Sequence, residues 1–203
     1  GLLALGLLSA TSPAQAAGTT IFVRSNATGA NNGANWRDAY TNLQTALGAA
    51  VSGDQIWVAK GSYPTTTGTD RTLSFRLKNG VAVYGGFGGS ETRLARRNPA
   101  LNLTILTGDI GNPGVASDNA LHVVDGSYTQ RSAVLDGVTI IGGYNYTDTS
   151  GGGGVLVGGG GMVGVEPAGV RAAAHQRVIE RLASGDPNPD ALSGSLAEPV
   201  VEL

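Results

Sequence analysis

Three aspartates stand where short β-strands are predicted to end, and carboxylates at such positions could bind a metal or help to cleave a sugar. Asp109, Asp125 and Asp136 lie in the segments TGDIG, VVDG and VLDG. Stacked carboxylates offer oxygen ligands to Ca²⁺, or an acid and a base for glycosidic cleavage. Asp-Gly is also ordinary turn chemistry, in which the carboxylate accepts local backbone N–H groups, and we favour that interpretation. We predict no cofactor, and Ca²⁺ is the one metal that these aspartates suggest.

Two tyrosines in the loop segment GGYNYTDTSGGGG, Tyr144 and Tyr146, are predicted to make exposed contacts with a ligand. Aromatic rings stack on sugars, although they more often fill a hydrophobic core. We assign the aromatic residues near the first strands to core packing: Trp36, Tyr40, Trp57, Tyr63 and Tyr84. His122 lies between apolar neighbours, and a catalytic role would need a partner that the sequence does not locate. We therefore predict no catalytic residue.

The composition argues against several other classes of function. The chain has 203 residues, of which 33 are glycine and 14% are charged, and its formal net charge is −2. A nucleic-acid-binding protein needs a basic stripe, and a solvated loop explains the densest basic group, Arg93, Arg96 and Arg97. The sequence contains no cysteine and no HExxH, GxSxG or P-loop motif. We thus predict no nucleic-acid partner and no active site of those types.

The elements that must position these residues are short strands and one helix. β-branched and apolar runs between glycine-rich loops predict the strands. They lie in the segments TTIFVRS, QIWVA, LSFRL, VAVY, TILT, LHVVDG, AVLDG, VTII and GVLVGG. Between the first two, residues 36–51 place apolar side chains at helical spacing, with Asn35 as N-cap and Asp38 in the first turn.

The spacing of the strands predicts a parallel β-solenoid. Their centres follow one another at steps of roughly 16 to 27 residues, which is typical of solenoid repeats. We count these centres at Ile56, Val83, Ile105, Val123, Thr139 and Leu156. Asn79-Gly80 could close a tight hairpin, but the other loops are too long for hairpins and lack the helices of βαβ units. Glycines with positive φ are expected at the corners, namely Gly85, Gly86, Gly142 and Gly143. The helix is expected to cap the first turn.

The chain divides into three predicted segments. Residues 1–17 carry an apolar stretch and the A-x-A pattern of a secretory signal peptide, and the absent initiating methionine indicates a fragment. Residues 18–161 hold the cap and the β-solenoid turns. Residues 162–203 lack the strand pattern and are predicted to be an irregular or helical tail, either an aberrant out-of-frame end or a genuine cap. We predict a secreted or cell-surface location, with no transmembrane segment beyond the signal peptide.

Four stretches carry a resemblance to a known family: GANNGANWRDAYTNLQTAL, SGDQIWVAKGSY, the long stretch RTLSFRLKNGVAVYGGFGGSETRLARRNPALNLTILTGDIG, and NALHVVDGS with AVLDGVTIIGGY. In order and spacing, over about residues 19–161, the chain resembles bacterial right-handed parallel β-helix proteins of the pectin-lyase-like superfamily. The resemblance implies an all-β fold, a right-handed parallel β-helix with an N-terminal capping helix, in a secreted or surface repeat protein. That superfamily includes polysaccharide lyases and hydrolases as well as adhesins, so the resemblance leaves the activity open.

Two functions remain open at this point. The preferred one is a non-enzymatic scaffold for adhesion, with an extracellular polysaccharide or surface polymer as its partner. The alternative is a polysaccharide lyase or glycoside hydrolase whose catalytic turns are missing from this chain. An enzyme should carry two or more carboxylates, or a Ca²⁺ site beside Arg or Lys, on one face of the coil. An adhesin should carry its turn aspartates scattered around the coil.

Overall fold

The computed structural model describes residues 18–145 and 153–156, and strands outnumber helices in this part of the chain. This confirms the prediction of a β-rich fold. The elements are β1 (Thr20–Val23), α1 (Leu43–Ala49), β2 (Gln55–Ala59), β3 (Gly61–Pro64), β4 (Phe75–Arg76), β5 (Ala82–Phe87), β6 (Thr104–Thr107), β7 (Val124–Asp125), β8 (Val134–Asp136), β9 (Thr139–Ile141) and β10 (Val155–Leu156), with 3₁₀ helices at Leu94–Arg96 and Ala116–Asp118. The predicted signal peptide (1–17), Tyr146 and the predicted tail (162–203) lie outside the described residues.

Every strand pair in the described residues is parallel, and the strands form three sheets. The first sheet has the order β1-β2-β5-β8, the second β3-β6-β9 and the third β10-β7-β4. From β2 to β7, each strand pairs with the strand three places later in the chain. The hairpin considered at Asn79-Gly80 does not form, because this turn carries the chain from β4 in the third sheet to β5 in the first.

One hydrophobic core draws side chains from all three sheets. In the first sheet, Ile56, Val83 and Leu135 share one register position, and all three are buried. Burial of such a side chain contributes about 1.5–3 kcal/mol. Ile105, counted in the sequence as the centre after Val83, belongs instead to the second sheet. The steps counted in the sequence therefore mix distances between paired strands of one sheet with distances between strands of different sheets.

The helix is shorter than predicted, since α1 begins at Leu43 and not near residue 36. Its N-cap is Asn42, whose side chain accepts the Gln44 N–H at 2.7 Å. The predicted cap Asn35 accepts the N–H groups of Arg37 and Asp38 instead. Such local side-chain bonds compete with helix formation, so the segment before Leu43 remains a loop. The buried side chains of α1 join the core, and the helix contacts β1, β2 and β4.

The same loop covers the outer edge of β1, the first strand of its sheet. The backbone N–H of Phe22 donates to the Gly33 carbonyl, and the N–H of Tyr40 donates to the Phe22 carbonyl, both at 2.9 Å. Arg24 donates its N–H to the Tyr40 carbonyl at 2.9 Å. An edge whose backbone groups are paired in this way no longer offers a template for another strand.

An aromatic cluster packs on the side of the first sheet opposite to the core. Phe22 and Trp57 are register partners on neighbouring strands, with ring centres 5.7 Å apart. Trp57 stacks on Phe87 at 4.7 Å, and Trp36 reaches Phe22 and Phe87 from the loop after β1. Trp57 and Phe87 are buried. These rings pack on one another, and buried rings of this kind are not available to stack on a sugar.

The corner glycines divide into two kinds. Gly86 and Gly142 have φ of 93° and 72°, which a side chain would make unfavourable, as predicted for corners. Gly85 and Gly143 do not have positive φ. At Gly85 the backbone approaches the Gly137 carbonyl so closely that a Cβ atom would clash with it. The need for glycine there comes from the close approach of the segment that follows β8.

Candidate functional site

Asp136 ends β8 in the first sheet and forms an ion pair with Arg97, which reaches it from the loop between β5 and β6. The Asp136 side chain is 2% exposed and that of Arg97 is 16% exposed. The guanidinium also donates to the Gly85 carbonyl at 3.3 Å, and its carbon lies 5.1 Å from the centre of the Tyr84 ring. Within the described residues, Asp136 Oδ1 has no hydrogen-bond partner. The Asp136 carboxylate thus anchors the loop between β5 and β6.

Asp125 ends β7 in the third sheet and is tied into a turn and an ion pair. Its Oδ1 accepts the Ser127 backbone N–H at 2.8 Å, and its Oδ2 accepts from Arg76 at 3.0 and 3.1 Å. Burial disfavours the ionised carboxylate, but the hydrogen bonds from Ser127 and Arg76 outweigh that effect and hold the pKa of Asp125 below its ordinary value. The group is therefore an ionised partner of local donors.

Asp109 follows β6 in the second sheet and is exposed. Its carboxylate accepts the Gly114 backbone N–H at 3.1 and 3.3 Å, which closes a turn. Asp109, Asp125 and Asp136 therefore lie on three different sheets, and each accepts hydrogen bonds from its own neighbourhood. The structure does not gather them on one face.

Tyr144 lies at the same corner as Asp109, where the chain leaves the second sheet. It is 39% exposed, and its backbone N–H donates to the Ala120 carbonyl at 2.8 Å. The guanidinium of Arg71 donates to the carbonyls of Asn119 (2.6 Å) and Tyr144 (3.0 Å), so it joins the segments before β4 and β7 to the segment after β9. Of the predicted ligand contacts, Asp109 and Tyr144 follow paired strands of the second sheet, β6 and β9.

His122 lies next to this corner and is half-buried. Its Nε2 is 3.1 Å from the side-chain nitrogen of Asn145. His122 thus takes part in a polar contact between segments of the chain.

Sequence reasoning missed the two arginines that organise these contacts. Arg97 was assigned to a solvated loop, but its side chain is largely buried against Asp136. Arg71 was not singled out. Their partners stand 39 and 48 residues away in sequence, and no local pattern signals such distant pairs.

No group of three or more His, Asp or Glu side chains is placed to hold a metal ion in residues 18–145 and 153–156. Over the same ranges, no helix has the length and apolar character needed to cross a bilayer.

The chain matches no protein-family model, no curated protein and no solved structure. The resemblance to the pectin-lyase-like superfamily therefore rests on the sequence segments alone.

Proposed function

We propose that this chain is the N-terminal portion of an exported, non-enzymatic scaffold that binds extracellular polysaccharide or another surface polymer. In this proposal the fold is a right-handed parallel β-helix with α1 as its N-terminal cap. Pairing of each strand with the strand three places later is what a coil of three strands per turn requires, and it supports the proposal. The contacts of α1 with the first strands, and the loop along the edge of β1, support the cap.

The observation that carries the non-enzymatic part is the placement of the strand-end aspartates. Asp125 and Asp136 end strands of the third and the first sheet, and Asp109 follows a strand of the second sheet. Each carboxylate is bonded to other groups of the chain. A glycosidase needs two such carboxylates to converge on one substrate, and a lyase of this superfamily is expected to need a Ca²⁺ site beside Arg or Lys. Scattered and internally bonded aspartates fit a scaffold, whose binding would use the long faces of its stacked strands.

The export part of the proposal rests on the signal-peptide pattern of residues 1–17. Those residues followed by a reporter enzyme should carry the reporter out of a bacterial cytoplasm, with cleavage after the A-x-A pattern. Retention of the uncleaved reporter in the cytoplasm would contradict a secreted or surface location.

Binding and catalysis are separated by incubating the full chain with a panel of neutral and acidic insoluble polysaccharides. The expected result is co-sedimentation with at least one polymer, while reducing ends and unsaturated uronate products stay at the level of a buffer blank. Product formation that scales with protein concentration would contradict the non-enzymatic part of the proposal. Failure to sediment with any polymer would contradict the binding proposal.

A further inference from the structure

The strands of the first sheet end at an edge that carries exposed cations. β1, β2 and β5 end at Val23, Ala59 and Phe87, and because these strands are parallel, the segments that follow them leave the sheet at the same edge. We name four of the basic residues in those segments the basic corner: Arg24, Lys60, Arg93 and Arg96.

Backbone and side-chain contacts bring these segments together. The N–H of Lys60 donates to the Phe87 carbonyl at 2.7 Å. The Arg24 side chain packs against Gly89, where a Cβ atom would stand 3.6 Å from its guanidinium nitrogens. Lys60, Arg93 and Arg96 are exposed, and Arg24 is half-buried. Segments that are distant in the sequence thus place these cations along one edge of the first sheet.

Two carboxylates of this region, those of Glu91 and Asp136, are bonded to groups outside the basic corner. Glu91 accepts backbone N–H groups from Gly88 (2.7 Å), Gly89 (3.0 Å) and Ser90 (3.0 Å). Burial disfavours its charged form, but these hydrogen bonds outweigh that effect and hold the pKa of Glu91 below its ordinary value. Asp136 is buried against Arg97. Neither carboxylate pairs with a cation of the basic corner.

The loop that carries Arg93 and Arg96 is fixed at several points. Arg97 anchors it to Asp136, and Trp36 Nε1–H donates to the Glu91 carbonyl at 2.8 Å. The N–H of Asn98 donates to the Gly86 carbonyl at 2.7 Å. A charged surface on a fixed loop loses little conformational entropy when it binds.

We propose that the basic corner binds an anionic extracellular polymer, a polysaccharide that carries carboxylate, sulfate or phosphate groups. This inference rests on the proposed function and names the chemistry of its partner. Guanidinium groups pair well with such oxyanions, and the chain as a whole has a net charge of −2, so the cationic surface is a local feature. A linear polyanion along the edge would meet cations from successive strands, which lie about 4.8 Å apart.

The test measures affinity of the full chain for a uronate polymer, a sulfated glycan, a phosphodiester-linked glycan, a neutral glucan and single-stranded DNA. The Arg93→Gln/Arg96→Gln variant is compared with Arg131→Glu, which removes the same two units of charge at an exposed site before β8, at the opposite edge of the first sheet. We expect at least one anionic glycan to bind, more weakly as salt rises, and the double variant to lose about tenfold in affinity. The Arg131→Glu variant should stay within about twofold of wild type.

The outcomes separate the two proposals. Equal binding of neutral and anionic glycans, or equal losses in both variants, overturns the basic corner and leaves polymer binding in place. Binding of single-stranded DNA more tightly than of every anionic glycan overturns the glycan partner. Absence of binding to every polymer overturns both proposals. Circular dichroism of each variant establishes that a lost affinity does not reflect lost structure.

Discussion

Arg97 and Asp136 form an ion pair that joins the loop after β5 to the end of β8, with the carboxylate 2% exposed and the guanidinium 16% exposed. Removal of one partner leaves the other charge buried without compensation, which costs about 3–5 kcal/mol. We therefore expect Arg97→Met to lower the free energy of unfolding by about 3 kcal/mol. Denaturant titration with a constant m-value would measure this loss.

The matched control is the other ion pair, in which the Arg76 side chain is 75% exposed and that of Asp125 is 10% exposed. Solvent screens such a pair, and Arg76→Met should cost no more than about 1 kcal/mol. The double variant Arg97→Met/Asp136→Leu should recover most of the stability lost in Arg97→Met, because it removes both buried charges. Equal losses for Arg97→Met and Arg76→Met would show that burial of the first pair has no energetic consequence.

Gly85 and Gly48 should respond in opposite directions to alanine. A Cβ atom on Gly85 would clash with the Gly137 carbonyl, whereas one on Gly48 meets nothing within 4 Å. Gly48 lies in α1, where alanine is preferred to glycine by about 0.5–1 kcal/mol. We expect Gly48→Ala to raise the melting temperature, and Gly85→Ala to lower the free energy of unfolding by more than about 2 kcal/mol. A neutral Gly85→Ala variant would contradict the observed approach of the Gly137 carbonyl to Gly85.

Most strands were predictable because their composition is locally distinctive. Runs such as QIWVA and TILT are β-branched and apolar, and the strands observed there match the predicted segments. β3 (Gly61–Pro64) was missed because its ends are glycine and proline, which local propensity assigns to turns. Its pairing with β6 decides its conformation, and that pairing joins segments distant in sequence.

The start of the helix and the candidate site were less predictable for the same physical reason. Periodicity predicts a helix start near Trp36. The Asn35 side chain instead accepts the backbone N–H groups of Arg37 and Asp38, and Tyr40 pairs with Val23 as in a strand. The helix therefore does not include residues 36–40. The three aspartates lie at or just after the ends of strands, as predicted. The local sequence does not indicate which sheet each of those strands joins. The partner of Asp136 is likewise set by the fold and not by spacing.

The stability of the protein should fall in acid through Asp125. Its folded-state pKa lies below the ordinary value of 3.8, so the folded state binds fewer protons than the unfolded state as pH falls. The stabilisation is fully present above the unfolded-state pKa and is lost as pH falls through the lowered, folded-state pKa. We expect the unfolding free energy of wild type to decrease from about pH 5 to pH 3, and less steeply in Asp125→Asn. An NMR titration in which the Asp125 carboxyl has a midpoint above 3.8 would contradict this sign.

Trp36 should control the order of the loop that carries the basic corner. Its indole N–H donates to the Glu91 carbonyl at 2.8 Å, and its ring packs 4.8 Å from that of Phe22. Trp36→Phe keeps an aromatic ring but removes this donor, so we expect a loss of about 1 kcal/mol and faster amide hydrogen exchange in residues 88–103. The control is Trp57→Phe, because the Trp57 indole donates to the Gln55 side chain and not to that loop.

Trp57→Phe should therefore leave exchange in residues 88–103 close to that of wild type, even where its global stability falls by a similar amount. Normalising each exchange rate to the variant's own unfolding free energy separates local loosening from global destabilisation. Identical normalised exchange in the two variants would show that the loop is held without Trp36. Faster exchange in Trp36→Phe alone would establish that a residue from the loop after β1 fixes the loop after β5, and with it the positions of Arg93 and Arg96.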